Sequence, residues 1–158
     1  MKVIVHDEPA LRADSNYIAW IALAPFGFED QVEQVWLRRT ADNTAALCCI
    51  PFRAYGVALG DTVRLTPHDS MVAEVLAGSG RRVLRALVVE PALATTAPEL
   101  RRHITEAGLR SEWSGDRHVA IDVPPRVEPS ALLDCMEACE ADGNLHWEWA
   151  DVEPFAVR

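Results

Sequence analysis

Val83-Leu84-Arg85-Ala86-Leu87-Val88-Val89 is a run of strand-forming residues stopped by Pro91. The next punctuation, Thr96-Ala97-Pro98-Glu99, has the spacing of a capping box, with Thr96 as N-cap and Glu99 reaching back. The helix it opens carries Leu100, Ile104 and Ala107 on one face and stops at Gly108. Leu109 to Trp113 then reads as a strand, Ser114-Gly115-Asp116 as a turn, and His118 to Val123 as a strand with Val119, Ile121 and Val123 on one side. After Pro124-Pro125, Pro129 stands at the start of a second helix, where its missing N–H costs nothing. That helix carries Leu132, Leu133, Met136 and Cys139 and ends at Gly143, and Leu145 to Trp149 alternates as a last strand. Residues 82–150 therefore predict β-α-β-β-α-β, the ferredoxin-like order, with both helices on one face of a four-stranded antiparallel sheet.

Outward toward the N-terminus the periodicity changes to a succession of short strands with turn signals between them. These are residues 3–5, 17–24, 31–39 (with Val32, Val35 and Leu37 inside), 44–50, 62–65 and 71–76. The pattern predicts a small bent β-sheet or partly closed barrel over residues 1–78. The fold class is thus α+β, a barrel-like half packed on a ferredoxin-like half, followed by a tail at 151–158. Gly78-Ser79-Gly80 marks the boundary with no linker long enough to separate the halves, so one compact unit is expected.

Between the strands ending at Ile50 and beginning at Thr62 lies the most informative loop. Pro51 cannot donate to a sheet ladder, and Phe52, Arg53 and Tyr55 follow before Gly56 and the Gly60-Asp61 turn. One reading makes this a barrel corner with Phe52 and Tyr55 filling the core, and Asp61 capping its own turn. The other makes it one wall of a pocket, since loops on a rigid scaffold carry function. In that reading Arg53, Tyr55 and Asp61 join Ser79 and Arg81 of the Gly78–Arg82 turn, and the guanidiniums suit a carboxylate or phosphate.

This loop also carries a family resemblance. Trp36, Ile50-Pro51-Phe52, Gly56-Val57-Ala58-Leu59-Gly60-Asp61 and Ser79-Gly80 resemble a bacterial family named domain of unknown function 4265, from about residue 31 onward. The resemblance implies family membership and no activity.

Net charge is −9 over 158 residues, which disfavours binding to nucleic-acid phosphates. No Lys or Arg lies between Arg126 and Arg158, whereas eight acidic residues do, from Glu128 to Glu153. No apolar run approaches the ~18 residues of a membrane helix, and the N-terminus lacks the apolar region of a signal peptide, so a cytoplasmic protein is expected. Cys48 and Cys49 point to opposite faces of a strand. Cys135 and Cys139 share a helix face, and neither pair forms a C-x-x-C knuckle. All four read as small buried hydrophobes, with no metal and no cofactor. The histidines are scattered, although His118 and His146 sit on strands expected to be neighbours, and His146 and Glu148 share a strand face. Ser79 lacks the G-x-S-x-G elbow, and the Gly78–Arg82 turn is not a P-loop.

Two functions are compatible with these residues. The first is a non-catalytic protein-binding module, an immunity-type neutraliser of a bacterial toxin, engaging a basic partner through Glu137, Glu140, Glu148 and Trp149. The alternative is a small enzyme or small-ligand binder with an anion-binding pocket between the two halves.

Overall fold

A computed structural model describes residues 1–150 and 155–156, so most of the tail expected at 151–158 lies outside the described residues. The described residues are mixed α+β, with two sheets and two α-helices. The first sheet contains β1 (Lys2–Ile4), β2 (Tyr17–Ala22), β3 (Gln31–Ala41), β4 (Thr44–Leu47), β5 (Thr62–Leu65) and β6 (Val72–Ala77). Its order is β1-β3-β4-β5-β6, with β2 on the other side of β3. β1 runs parallel to β3 and the other pairings are antiparallel. This sheet bends but does not close: β2 and β6 meet at one bridge, Trp20 to Met71, supported by the Trp20 N–H donating to Ser70 O at 3.0 Å.

β3 is the spine of this half. Strand alternation places Glu33, Val35 and Leu37 on one buried face, with Gln34 and Trp36 on the other. Val32, expected inside beside Val35 and Leu37, has the wrong parity for that face, and a carboxylate takes its place. β4 ends at Leu47, earlier than the expected Ile50: Cys48 still donates to Trp36 O of β3, but its own carbonyl accepts the Leu11 N–H and the chain leaves the ladder there.

The second half runs β7 (Arg82–Val88), α1 (Leu93–Glu106), β8 (Arg110–Ser114), β9 (His118–Val123), α2 (Ser130–Ala141) and β10 (Leu145–Trp149). Its antiparallel sheet has the order β10-β7-β9-β8. α1 starts three residues before the expected capping box. A 3-10 turn at Glu90–Ala92, with Pro91 preset for helical φ, nucleates it, and Thr96 is buried inside the helix with no capping role. Leu100 and Ile104 of α1 and Leu132 and Met136 of α2 pack on Leu84, Val119, Ile121 and Leu145. β7 and β9 are buried on both faces: alternate residues Val83, Arg85, His118, Ala120 and Asp122 look the other way, toward the first half. The halves share a core there, because Val83 and Ala120 belong with Phe52, Val57 and Val63 in one apolar cluster. Phe155 returns to this core, 3% exposed, with its N–H on Gly56 O at 3.0 Å. No helix among the described residues is long and apolar enough to cross a membrane.

Candidate functional site

The loop at 48–61 is held by side chains from both halves. Glu33, fully buried on β3, accepts the N–H groups of Phe52 at 2.5 Å, Arg53 at 2.9 Å and Ala54 at 3.0 Å. Glu112, buried on β8, accepts the N–H of Ala10 at 3.2 Å and that of Ile50. Between the two carboxylates lies His6, 1% exposed, with Nδ1 at 2.7 Å from Glu112 Oε1 and Nε2 at 2.9 Å from Glu33 Oε1. Two acceptors require two ring N–H donors, so His6 is the imidazolium. Burial opposes that charge, but the neighbouring Cys49 thiol, Glu112 and Glu33 outweigh it and hold the His6 pKa well above its usual value. Burial likewise opposes ionised Glu33, yet His6, the Phe52 amide and Arg85 bring it down to about 2. The His6 ring stacks on Phe52 with centroids 4.3 Å apart and planes 12° apart.

Asp61 closes the far end of the loop. Its carboxylate accepts the Ala58 N–H at 2.8 Å and the Ser79 N–H at 2.6 Å, tying the turn before β5 to the turn before β7. Gly60 (φ 81°) allows this approach, since a Cβ there would lie 3.3 Å from Ser79 Cβ.

On the other side of Phe52 a cleft of about 560 Å³ opens between the halves, within the size range of small-molecule sites. Phe28, Phe52, Arg53 and Tyr55 form one wall, and Arg85, His118, Trp147 and Glu148 are among the residues of the other. Arg85, only 3% exposed, projects from β7 under the loop: Nη2 donates to Ala54 O, Nη1 lies 3.7 Å from Glu148, and the guanidinium sits 4.8 Å from the Tyr55 ring centroid. Its Nε and the Trp147 Nε1 are buried with no hydrogen-bond partner among the described residues. Arg53 bonds to Gln31 at 2.8 Å and lies over Phe28 at 5.1 Å, keeping a second cation at the rim. Burial, then Arg85 and Arg53, push His118 down to about 4, so near pH 7 it is a neutral imidazole with one donor and one lone pair. Burial and Glu148 push the Tyr55 hydroxyl up, and it donates to both Glu148 oxygens at 2.7 and 2.8 Å. The cleft can therefore receive an anion on Arg85 and Arg53 while aromatic rings pack against an apolar body.

Of the sequence-selected ligand residues, Arg53 and Tyr55 line this cleft, whereas Asp61, Ser79 and Arg81 do not. Asp61 and Ser79 are bonded to each other, and Arg81 pairs with Asp122 at 2.5 Å. Of the residues selected for a partner, Glu137 and Glu140 stand exposed on α2, while Glu148 turns into the cleft and Trp149 lies half-buried under Arg82, 3.7 Å from its ring. His118 and His146 both line the cleft but are not on adjacent strands: β7 lies between, and they flank Leu87. Reading the sequence missed His6, Glu33, Arg85 and Glu112. The parity of β3 alone marks Glu33 as inward, and nothing local marks the others.

No curated protein matches the chain. The fold is similar to that in a solved structure described as a novel crystal structure of a hypothetical protein from Neisseria gonorrhoeae. The TM-score is 0.69 at 18% identity, over 88% of this chain and 96% of that one. A family model described as domain of unknown function (DUF4265) matches residues 33–147, which include the Glu33 anchor, the whole loop and nearly all of the cleft, and the chain belongs to that family.

Proposed function

We propose that this protein is a small-ligand binder that holds an anion, a carboxylate or phosphate on an aromatic or apolar body, in the cleft between its halves. The observation that carries this reading is Arg85: a guanidinium 3% exposed, walling a 560 Å³ cleft, with an Nε donor that nothing in the described residues accepts. An unsatisfied buried donor costs about 1–3 kcal/mol, a cost an anionic ligand removes. The reading includes a partly closed barrel at 1–78 and a ferredoxin-like half at 82–150, working in the bacterial cytoplasm. The order β10-β7-β9-β8 supports the second of these.

The test is an NMR titration with phenylacetate and phenyl phosphate, following the side-chain N–H resonances of Arg85. Saturable shifts in the wild type that vanish in Arg53→Ala support the reading. Unmoved resonances in the millimolar range, together with no small molecule released on denaturing protein from its own cells, overturn it.

A second reading, the immunity-type protein-binding module, rests on α2. Its exposed side carries Asp134, Glu137 and Glu140 with no basic residue in the helix. Since Glu148 faces the cleft, the docking patch in this reading is Glu137 and Glu140. Charge reversal there slows capture of a basic partner most at low salt.

A further inference from the structure

Along the outer side of the second half, α1 and α2 pack through Leu100, Ile104, Leu132 and Met136. Beside that apolar seam lies a mixed polar set that neither the cleft nor the loop uses. Glu99 and His103 are four residues apart on α1 and share one face. Cys135 faces them from α2, and a carboxylate oxygen, a ring nitrogen and the thiol sulfur all lie within 4.8 Å of one another. We propose that Glu99, His103 and Cys135 form a binding site for a zinc-class divalent ion that staples α1 to α2.

Tetrahedral zinc, with bonds of about 2.3 Å to sulfur and about 2.0–2.2 Å to nitrogen and oxygen, sets its ligand atoms roughly 3.3–3.7 Å apart. From the 4.8 Å limit the atoms need to close by about 1.1–1.5 Å, a movement on the scale of side-chain torsions. The donor set selects the ion. A thiolate with an imidazole suits zinc, cobalt or copper, whereas magnesium and calcium want oxygen alone. Three protein ligands on an open helix seam leave the fourth position to water. Cys139, one turn further along α2, is buried behind Cys135.

The groups around the site set its pH behaviour. Arg102 Nη2 lies 3.1 Å from His103 Nε2, so that nitrogen holds a lone pair. An ion that takes Nε2 displaces Arg102, which keeps its bond to Glu106 at 2.8 Å. Burial, Cys139 and Glu99 push the Cys135 thiol up to about 12, and Arg102 opposes this. The ion takes the sulfur lone pair and the thiol proton goes to solvent. Binding therefore releases the thiol proton, and affinity rises with pH.

Cobalt(II) is the probe, because a thiolate ligand gives it a sulfur-to-metal charge-transfer band and a tetrahedral site gives strong visible d–d bands. The wild type should bind one ion with both features, zinc should displace it, and added zinc should raise the melting temperature. Cys135→Ser should abolish the charge-transfer band, and His103→Gln the tetrahedral spectrum. Glu99→Gln, at an exposed position that leaves the fold unchanged, should weaken binding by at least about tenfold. Cys139→Ala should keep the stoichiometry. No charge-transfer band at millimolar cobalt, or a band that survives Cys135→Ser, overturns the proposal, as does unchanged affinity in Glu99→Gln.

Discussion

Phe52 separates two groups of buried charge that look alike in composition and differ in how their hydrogen bonds end. On one side His6 lies between Glu33 and Glu112, and these carboxylates take up the amides of Ala10, Ile50, Phe52, Arg53 and Ala54. On the other side Arg85 and Arg53 wall a cleft, and the buried Arg85 Nε has no acceptor among the described residues. A satisfied network in low dielectric fixes a conformation, and removing one member leaves the rest buried and uncompensated. Donors left open at a cavity weaken the apo protein and favour a ligand. The first group builds the loop that walls the cleft; the second reads what enters it.

The comparison breaks most sharply at Glu33. Glu33→Ala orphans three amides and leaves an imidazolium facing one carboxylate, so a loss of about 3–5 kcal/mol is expected in urea unfolding. Glu33→Gln retains the shape and one carbonyl acceptor and should lose less. Equal, small losses in both would mean that the charge and its bonds matter little. Glu112→Ala should come next, at about 2–4 kcal/mol, because it frees the Ile50 and Ala10 amides and removes the tie from β8 to the first half.

pH sharpens the same contrast. Glu33 is held at about 2 against an ordinary value of 4.5, so its contribution is present above about pH 4.5 and is lost as pH falls toward 2. That limb amounts to roughly 3 kcal/mol. His6 has the opposite sign: its raised pKa adds stability that is complete below the usual 6.5 and is lost as pH rises through the folded value. Unfolding free energy should therefore peak between about pH 4.5 and 6.5. His6→Gln should flatten the alkaline limb and Glu33→Gln the acid limb. A profile unchanged by either variant would show that the cluster does not govern stability.

At the cleft the expected stability effects are small. Arg85→Met removes a buried cation whose nearest carboxylate is 3.7 Å away, and stability should change by about 1 kcal/mol or less in either direction while probe binding is lost. A large destabilisation with binding retained would assign Arg85 to the scaffold. Tyr55→Phe, which removes a hydroxyl from the exposed Glu148, should cost about 0.5–1 kcal/mol.

The elements of the second half were legible in the sequence, because their signals are local. Residues 118–123 and 145–149 are strands as the alternation of Val119, Ile121 and Val123, and of Leu145, Trp147 and Trp149, implies. Gly108 and Gly143 follow α1 and α2 at positive φ. The capping box failed because Pro91 starts the helix earlier, a competition between two local signals. In the first half the strands were legible and the parity of β3 was misread, which hid Glu33 behind Val32. The cleft was half legible: Arg53 and Tyr55 sit on a loop that Pro51 and two glycines mark, while Asp61, Ser79 and Arg81 share a sequence neighbourhood with it and close a different turn.

What the sequence determined by itself is the set of strands, helices and turns, since periodicity, proline and glycine act over a few residues. Only the tertiary structure decided which charges meet. His6 and Glu112 are separated by 106 residues, and although parity turns Glu33 inward, nothing local to it or to Arg85 names a partner. They become a network and a site because two sheets press their polar positions against one loop, where each charge must find a partner or a ligand.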